Sequence, residues 1–225
     1  MHSYDAAMAR WHPDAEGRLR QAAIELFTEY GYDAVTITQI AERAGLTRRS
    51  YFRYFPDKRE VLFAGSERLA PAVTKVLETT DRRAAPLDRI VTTLVDVGEQ
   101  MIKHIGHAPD RRTIIASSNE LTERERTKLA AVAQAITACF TGEGLDKAVA
   151  QLAGRIGVDL FQNAFDRYLD DSRSVVTWSS HLAHAVEDLS KLSGPEHTIP
   201  SGRAAGSTPQ RRRQSASQRG ARREA

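Results

Sequence analysis

The stretch TITQIAERAGLTRRSYFRYF, residues 36–55, continued by PDKREVL to residue 62, decides how this chain folds. Thr36 followed three residues later by Gln39 is a capping box: the hydroxyl accepts from the third helical amide, and the glutamine reaches back to the cap's own N–H. Ile40, Ala41 and Ala44 give the helix that follows a narrow apolar face, with Glu42 and Arg43 turned to water. Gly45 breaks it, because glycine enters the left-handed region at little steric cost. Leu46 plugs the corner, and Thr47 caps a second helix expected over 48–55. Helix, short glycine-containing turn and helix form a helix-turn-helix, whose second helix enters the DNA major groove.

That second helix is strongly basic. From Thr47 to Arg59 it carries Arg48, Arg49, Arg53, Lys58 and Arg59 against one acid, Asp57, a net +4. Arg48, Arg49, Phe52 and Arg53 fall on one helical face, and Tyr51 and Phe55 on another. The first face offers charge and hydrogen bonds; the second docks the helix onto Leu46 and Ile40. Arg48 and Arg49 are the expected base readers, since arginine pairs bidentately with guanine. A plain solvated basic helix end is the competing reading, and the capped helix and glycine turn before it argue against that.

The run from Thr36 to Leu62 resembles the DNA-binding core of the tetracycline-repressor (TetR) family, a resemblance that extends over Leu19 to Phe63. It rests on Ile40-Ala41, Ala44-Gly45-Leu46-Thr47, Phe52-Arg53-Tyr54-Phe55 and Lys58. The chain departs from the family pattern at Arg49, where a small residue is usual, and at Tyr51, where Leu or Val is common. A second long donor at position 49 implies an operator different from the better-known ones. The resemblance implies that Thr38 and Phe52 also approach bases. It implies that Thr47, Ser50, Arg53, Tyr54 and Lys58 hold the DNA backbone. It further implies a homodimer on a palindromic operator, released by a small-molecule effector, and hence a transcriptional regulator, with repression the expected sign.

No alternating strand pattern occurs, so the chain reads as all-α with about nine helices. A loose arm over 1–12 precedes a helix-turn-helix DNA-binding domain over 13–60. A helical ligand-binding and dimerisation domain follows over 61–193, and a disordered basic tail over 194–225. Pro13 and Asp14 start a bracing helix with Leu19, Ala22, Ala23, Leu26, Phe27 and Tyr30 on its buried stripe, ended by Gly31. Asp57 with Glu60 opens a helix expected to run to Thr79, kinked or ended by Pro71; it would be the lever joining the two domains. Thr122 with Glu125 is a second capping box, and Ser172 is expected to cap the last helix.

Composition bounds the rest. The 225 residues are 41% hydrophobic and contain no stretch of apolar residues long enough to span a membrane. The N-terminus lacks the pattern of a secretory signal. One cysteine, Cys139, excludes a disulfide within the chain and fits a reducing cytoplasm. The tail after residue 193 holds seven arginines and two glutamates, so the body of this +3 chain is slightly acidic. Its Arg211-Arg212-Arg213 run either sits in solvent or touches phosphates without sequence preference. That second possibility keeps a nonspecific DNA-compacting protein as an alternative.

Enzymatic signals are weak. Cys139 reads as a small core residue before it reads as a nucleophile, and His104 with His107, or His181 with His184, gives too few ligands for a metal site. No phosphate loop, hydrolase motif or cofactor motif is present, so an enzyme using Cys139 or His104 is the minor reading. Following the resemblance, candidate effector contacts are Met101, His104, Arg111, Arg112, Ile115, Asn119, Phe140, Phe161 and Phe165. The two arginines would receive any anionic end, such as that of an acyl thioester. Phe161, Phe165, Trp178, Leu182, Val186 and Leu189 exceed what one chain is expected to bury and are the candidate dimer seam.

Overall fold

The computed structural model describes residues 14–102, 108–171 and 176–192. The expected arm, Pro13, His104, Gly106, Ser172 and the basic tail lie outside the described residues. Among those described, every regular element is helical. The α-helices are α1 (Ala15–Tyr30), α2 (Ile37–Arg43), α3 (Arg48–Tyr51), α4 (Leu69–Thr79), α5 (Pro86–Ile102), α6 (Ala108–Ala116), α7 (Asn119–Gly142), α8 (Lys147–Asp170) and α9 (Trp178–Leu192). Two 3-10 turns, Glu60–Leu62 and Ser66–Arg68, join α3 to α4.

Two apolar cores form. The first gathers Leu19, Ala23 and Phe27 of α1, Ile40 and Ala41 of α2, and Tyr51 and Phe55 around α3. Val61, Leu62 and Phe63 also belong to it, as do Ile114 and Ile115 of α6 and Leu121 of α7. The second lies among α4, α5, α7, α8 and α9, with Val73, Leu77, Ile90, Leu94, Ile136, Phe140, Leu160 and Leu182 inside. Helix α7 serves both. It turns at Gly142–Gly144 to run back as α8, where a side chain on Gly154 would meet the Ala133 carbonyl at 2.4 Å. The absence of a Cβ there sets how closely the two long helices cross.

One charged pair is built into the second core. Arg89, 4% exposed, donates to both carboxylate oxygens of Glu143 at 2.5 and 3.0 Å. Its remaining N–H groups reach Thr80 Oγ1 at 2.8 Å and the Leu77 carbonyl at 3.2 Å, and its guanidinium lies 5.0 Å from the Phe140 ring centre. The arginine thereby ties α5 to the ends of α4 and α7. Both oxygens of its partner are engaged, which is the condition under which a buried ion pair holds.

Three expected boundaries shift. The helix expected from Asp57 to Thr79 is not continuous: Asp57 caps only the Glu60–Leu62 turn, accepting from the amides of Arg59 at 2.8 Å and Glu60 at 3.1 Å. Gly65 then takes a left-handed φ of 84°, and α4 begins afresh at Leu69. Pro71 is therefore neither a kink nor an end. It sits in the first turn of α4, where its missing N–H leaves no helical bond unmade. Helix α3 stops at Tyr51 instead of residue 55, tightening through bonds from Arg53 N to Ser50 O at 3.2 Å and from Tyr54 N to Tyr51 O at 2.9 Å. Helix α7 starts at Asn119, so Thr122 lies inside it, donating to the Ser118 and Ile115 carbonyls, while Glu125 pairs with Arg111.

Candidate nucleic-acid interface

The reading unit is assembled by local bonds. The Gln39 amide donates to Thr36 Oγ1 at 3.3 Å, and the Thr36 amide to Gln39 Oε1 at 2.8 Å, which is the reciprocal capping box. At the other end of α2, Leu46 N reaches Ala41 O at 2.8 Å and Gly45 N reaches Glu42 O at 3.0 Å. That pair is the Schellman arrangement, and it needs the positive φ of 68° that Gly45 supplies. Thr47 Oγ1 then accepts from the Ser50 amide at 3.1 Å and starts α3.

Helix α3 divides into two faces. Tyr51 and Phe55 are buried, at 0% and 3% exposed, with their rings 5.4 Å apart. The Tyr51 hydroxyl donates to the Asp57 carbonyl at 3.1 Å, and burial pushes the phenol far above its usual range, so it keeps its proton. Opposite, Arg48, Arg49, Phe52, Arg53 and Tyr54 are all exposed. Arg48 lies over the Phe52 ring at 5.5 Å, and Arg53 beside the Tyr54 ring at 6.0 Å. Phe52 is 45% and Tyr54 38% exposed, so two aromatic rings stand in water beside the arginines. Thr38 is exposed on α2. Thr47 and Ser50 share a hydroxyl contact of 2.9 Å at the start of α3.

Lys58 departs from expectation. Its ammonium faces inward, donating to the carbonyls of Tyr32 at 2.8 Å and Val35 at 3.1 Å and lying 4.1 Å from the Tyr32 ring centre. Two of its three N–H groups thus hold the loop that enters α2. Only the three-residue 3-10 turn Glu60–Leu62 begins there, too short to add a helix dipole, so the expected phosphate site at a helix end is not formed.

The expected effector contacts do not converge. Arg111 donates to the Leu62 carbonyl at 2.6 Å, lies 5.2 Å from the Phe63 ring centre and faces Glu125 at 3.6 Å. Arg112 pairs with Asp170 at 2.6 Å and Asp166 at 3.3 Å on α8. Both arginines are struts, with their charge already answered by carboxylates. Ile115 belongs to the first core, Asn119 is exposed at the start of α7, and Phe140 is buried against Arg89. Met101 is half-buried near the end of α5 and does not reach the cavity described next.

That cavity is a narrow apolar crevice among α4, α5, α7 and α8, with a free interior of about 10 Å3, room for about one water. Leu69, Val73, Leu94, Val97, Leu129, Val132, Gly157, Val158 and Phe161 line it. Phe161 is the one expected contact that the crevice includes; Phe165 stacks on it at 5.7 Å. The other lining residues were missed because their spacing is that of ordinary core.

Two members of the expected dimer seam, Trp178 and Leu182, are taken up by the chain's own core. Trp178 and Leu182 are buried at 3% and 0% within the chain's own second core, and Phe161, Phe165, Val186 and Leu189 pack half-buried against it. Among the described residues of the body, the large apolar side chains left exposed include Val149 and Leu152 on α8, at 48% and 58%, Val176 before α9, at 37%, and Leu192 at the end of α9, at 78%. Among the described residues no group of three or more His, Cys, Asp or Glu could hold a metal ion, and no helix is long and apolar enough to cross a membrane.

Comparison with known proteins agrees with this geometry. Residues 19–64 match the family described as bacterial regulatory proteins, tetR family. The chain is similar to the uncharacterized HTH-type transcriptional regulator Rv2250c of Mycobacterium tuberculosis, at 28% identity over 152 residues, covering 67% of this chain and 74% of that protein. Among solved structures it is similar to native NalD, the secondary repressor of the MexAB-OprM multidrug efflux pump in Pseudomonas aeruginosa. The TM-score is 0.55 at 19% identity, over 79% of this chain and 95% of that one. It is also similar to SmeT in its complex with triclosan, with a TM-score of 0.52 at 19% identity, over 87% and 99% of the two chains. At such identities the two structures speak for the fold alone.

Proposed function

Taking as premise that this chain belongs to the tetR family of bacterial regulatory proteins, a family of transcriptional regulators and not of enzymes, we propose that it is a repressor that binds a palindromic operator as a homodimer and lets go when an apolar small molecule enters the crevice. The observation that carries this reading is the pair of faces on α3. Five exposed basic and aromatic side chains, Arg48, Arg49, Phe52, Arg53 and Tyr54, stand on α3 and the turn that continues it, whose other side is locked down by Tyr51 and Phe55. Arg48 and Arg49 read bases, with Thr38 and Phe52 beside them. Thr47, Ser50, Arg53 and Tyr54 hold the sugar-phosphate backbone.

An effector entering the crevice would be neutral and apolar, and it would have to part the helices, since the free interior is only about 10 Å3. Every lining side chain is hydrocarbon, and Arg111 and Arg112 are committed to Glu125, Asp166 and Asp170. This argues against an acyl thioester, whose anionic end would meet no cation among the described residues that line the crevice. The fold neighbour SmeT in complex with triclosan is in keeping with a small-molecule effector. The dimer face is the outer stripe of α8, where Val149, Leu152 and Ile156 recur at helical spacing, continued by Leu192 of α9. The working location is the cytoplasm, where DNA is. The head is best divided from the body at Gly65, since residues 61–63 pack in the first core.

Selection of bound fragments from a random DNA pool tests this reading. A recovered palindrome supports a dimeric operator-specific regulator. Recovery with no common sequence would instead favour nonspecific compaction driven by the basic tail.

A further inference from the structure

The Glu60–Leu62 turn is gripped from the body of the molecule by side chains far away in sequence. Glu60, 13% exposed, gives one carboxylate oxygen to Arg124 Nε at 2.6 Å and the other to Lys128 Nζ at 3.1 Å. Burial opposes its charge, yet these two donors hold the carboxyl below its usual range. Arg59, beside it, faces Glu120 at 3.3 Å. Glu120, Arg124 and Lys128 recur every four residues and so form one stripe of α7. Leu129 and Val132, on the same helix and within about 6 Å of rise beyond Lys128, line the apolar crevice.

Glu60 also connects inward to the reading helix. Its amide donates to Asp57 Oδ1 at 3.1 Å, and the carbonyl of Asp57 accepts from the Tyr51 hydroxyl of α3 at 3.1 Å. Next to it, Lys58 holds the Tyr32 and Val35 carbonyls just before α2. An unbroken series of bonds therefore runs from α7 through Glu60 and Asp57 to α3. By contrast, the covalent route through α4 is interrupted by Gly65 and two 3-10 turns, a poor transmitter of thrust.

We propose that Glu60, forked between Arg124 and Lys128, is the positioning residue through which a shift of α7 at the crevice reaches the DNA-reading helix. The inference rests on the reading of the crevice as the effector site. Its consequence is that α7, and not the chain through α4, carries the response. A body lodged in the crevice pushes α7 outward and pulls the 57–60 segment with it. The Tyr51 anchor of α3 then moves, and two reading helices in a dimer lose their spacing on fixed half-sites.

The test uses the full chain with a wedge built into the crevice from the α8 side, Val158→Phe, so that it reads the coupling whether or not any ligand enters. The operator fragment recovered by selection is titrated with wild type, Val158→Phe, Glu60→Gln and the double variant. The wedge is expected to weaken operator binding at least about fivefold in the wild-type background. The same wedge should have almost no effect beside Glu60→Gln, or beside Arg124→Gln with Lys128→Gln. A merely structural role for Glu60 would weaken binding equally with and without the wedge, and that result overturns the proposal. So does a folded Val158→Phe protein with wild-type affinity. If Val158→Phe does not fold, Val158→Leu occupies part of the same space, with amide exchange at Glu60 as the readout: faster exchange supports the coupling, unchanged exchange overturns it. Whether the crevice takes a small molecule is read separately, by titrating triclosan against Trp178 fluorescence in a Trp11→Phe background. A negative result there removes that compound's support for the effector reading without touching the wedge cycle.

Discussion

The indole of Trp178 occupies the space where a side chain on Gly98 would stand. A Cβ on Gly98 would lie 2.2 Å from the indole Nε1, and that same nitrogen donates to the Leu94 carbonyl at 2.9 Å. Helices α5 and α9 are pinned together at this point. Gly98→Ala should therefore force the ring out of its bond and cost about 1–3 kcal/mol, the range for overpacking a tight core. Thermal unfolding measures it. In a Trp178→Ala background the same substitution should cost far less; an equal cost in both backgrounds would assign the effect to the helix backbone.

Arg49→Ala should weaken operator binding by about 1–3 kcal/mol and relax the preference at one operator position, since Arg49 is exposed on the reading face. Binding to operator variants at each position reads this out. Equal weakening on operator and random DNA would reassign Arg49 to a phosphate.

The Arg89–Glu143 pair makes stability depend on acid. Its bond to Arg89, aided by Arg82, holds the Glu143 carboxyl below its usual range. A carboxyl with a lowered folded pKa contributes in full above its unfolded value, and that contribution is lost as pH falls through the folded one. Glu143→Gln should cost about 3–5 kcal/mol at neutral pH, because it leaves a buried guanidinium without its counter-charge. The gap from wild type should narrow as the solution is acidified below the ordinary carboxylate range. Denaturant melts across pH check this; a gap independent of pH would mean that shape, not charge, is at stake.

Lys58→Met separates two roles for one residue. With its ammonium on the Tyr32 and Val35 carbonyls, its loss should lower stability by about 1.5–3 kcal/mol. The salt dependence of operator binding should stay as in wild type. A fall in that slope by about one counterion would return Lys58 to the DNA backbone.

Much of the reading unit was legible in the sequence because its bonds are local. Thr36 and Gln39 are three residues apart, and the Gly45 turn closes within six, so residue types at fixed spacing suffice. The partners of Arg111 and Arg112 were not legible: the Leu62 carbonyl lies 49 residues from Arg111, and Asp166 and Asp170 lie 54–58 residues from Arg112, so only tertiary packing brings them together. Periodicity showed that Trp178 and Leu182 face something apolar, but not that the surface is the chain's own α5 and α8 and not a second copy. The break at Gly65 was hidden for a similar reason. Val61, Leu62, Leu69 and Val73 keep a helical rhythm across it, and a single glycine inside a good pattern is ordinarily tolerated.

The first core also bears on how such proteins can be recombined. Ile114, Ile115 and Leu121, each no more than 5% exposed, close a core whose other members come from residues 19–63. Fully buried side chains of that kind contribute about 1.5–3 kcal/mol each, a large share of what a head of this size can muster. A head excised at Gly65 would expose the seat they fill, and a head transplanted onto a relative's body would meet someone else's α6 and α7. Hybrids of this chain therefore inherit a matching requirement: the graft must bring 108–128 along with the reading helices, or replace the three plugs with side chains of the same volume.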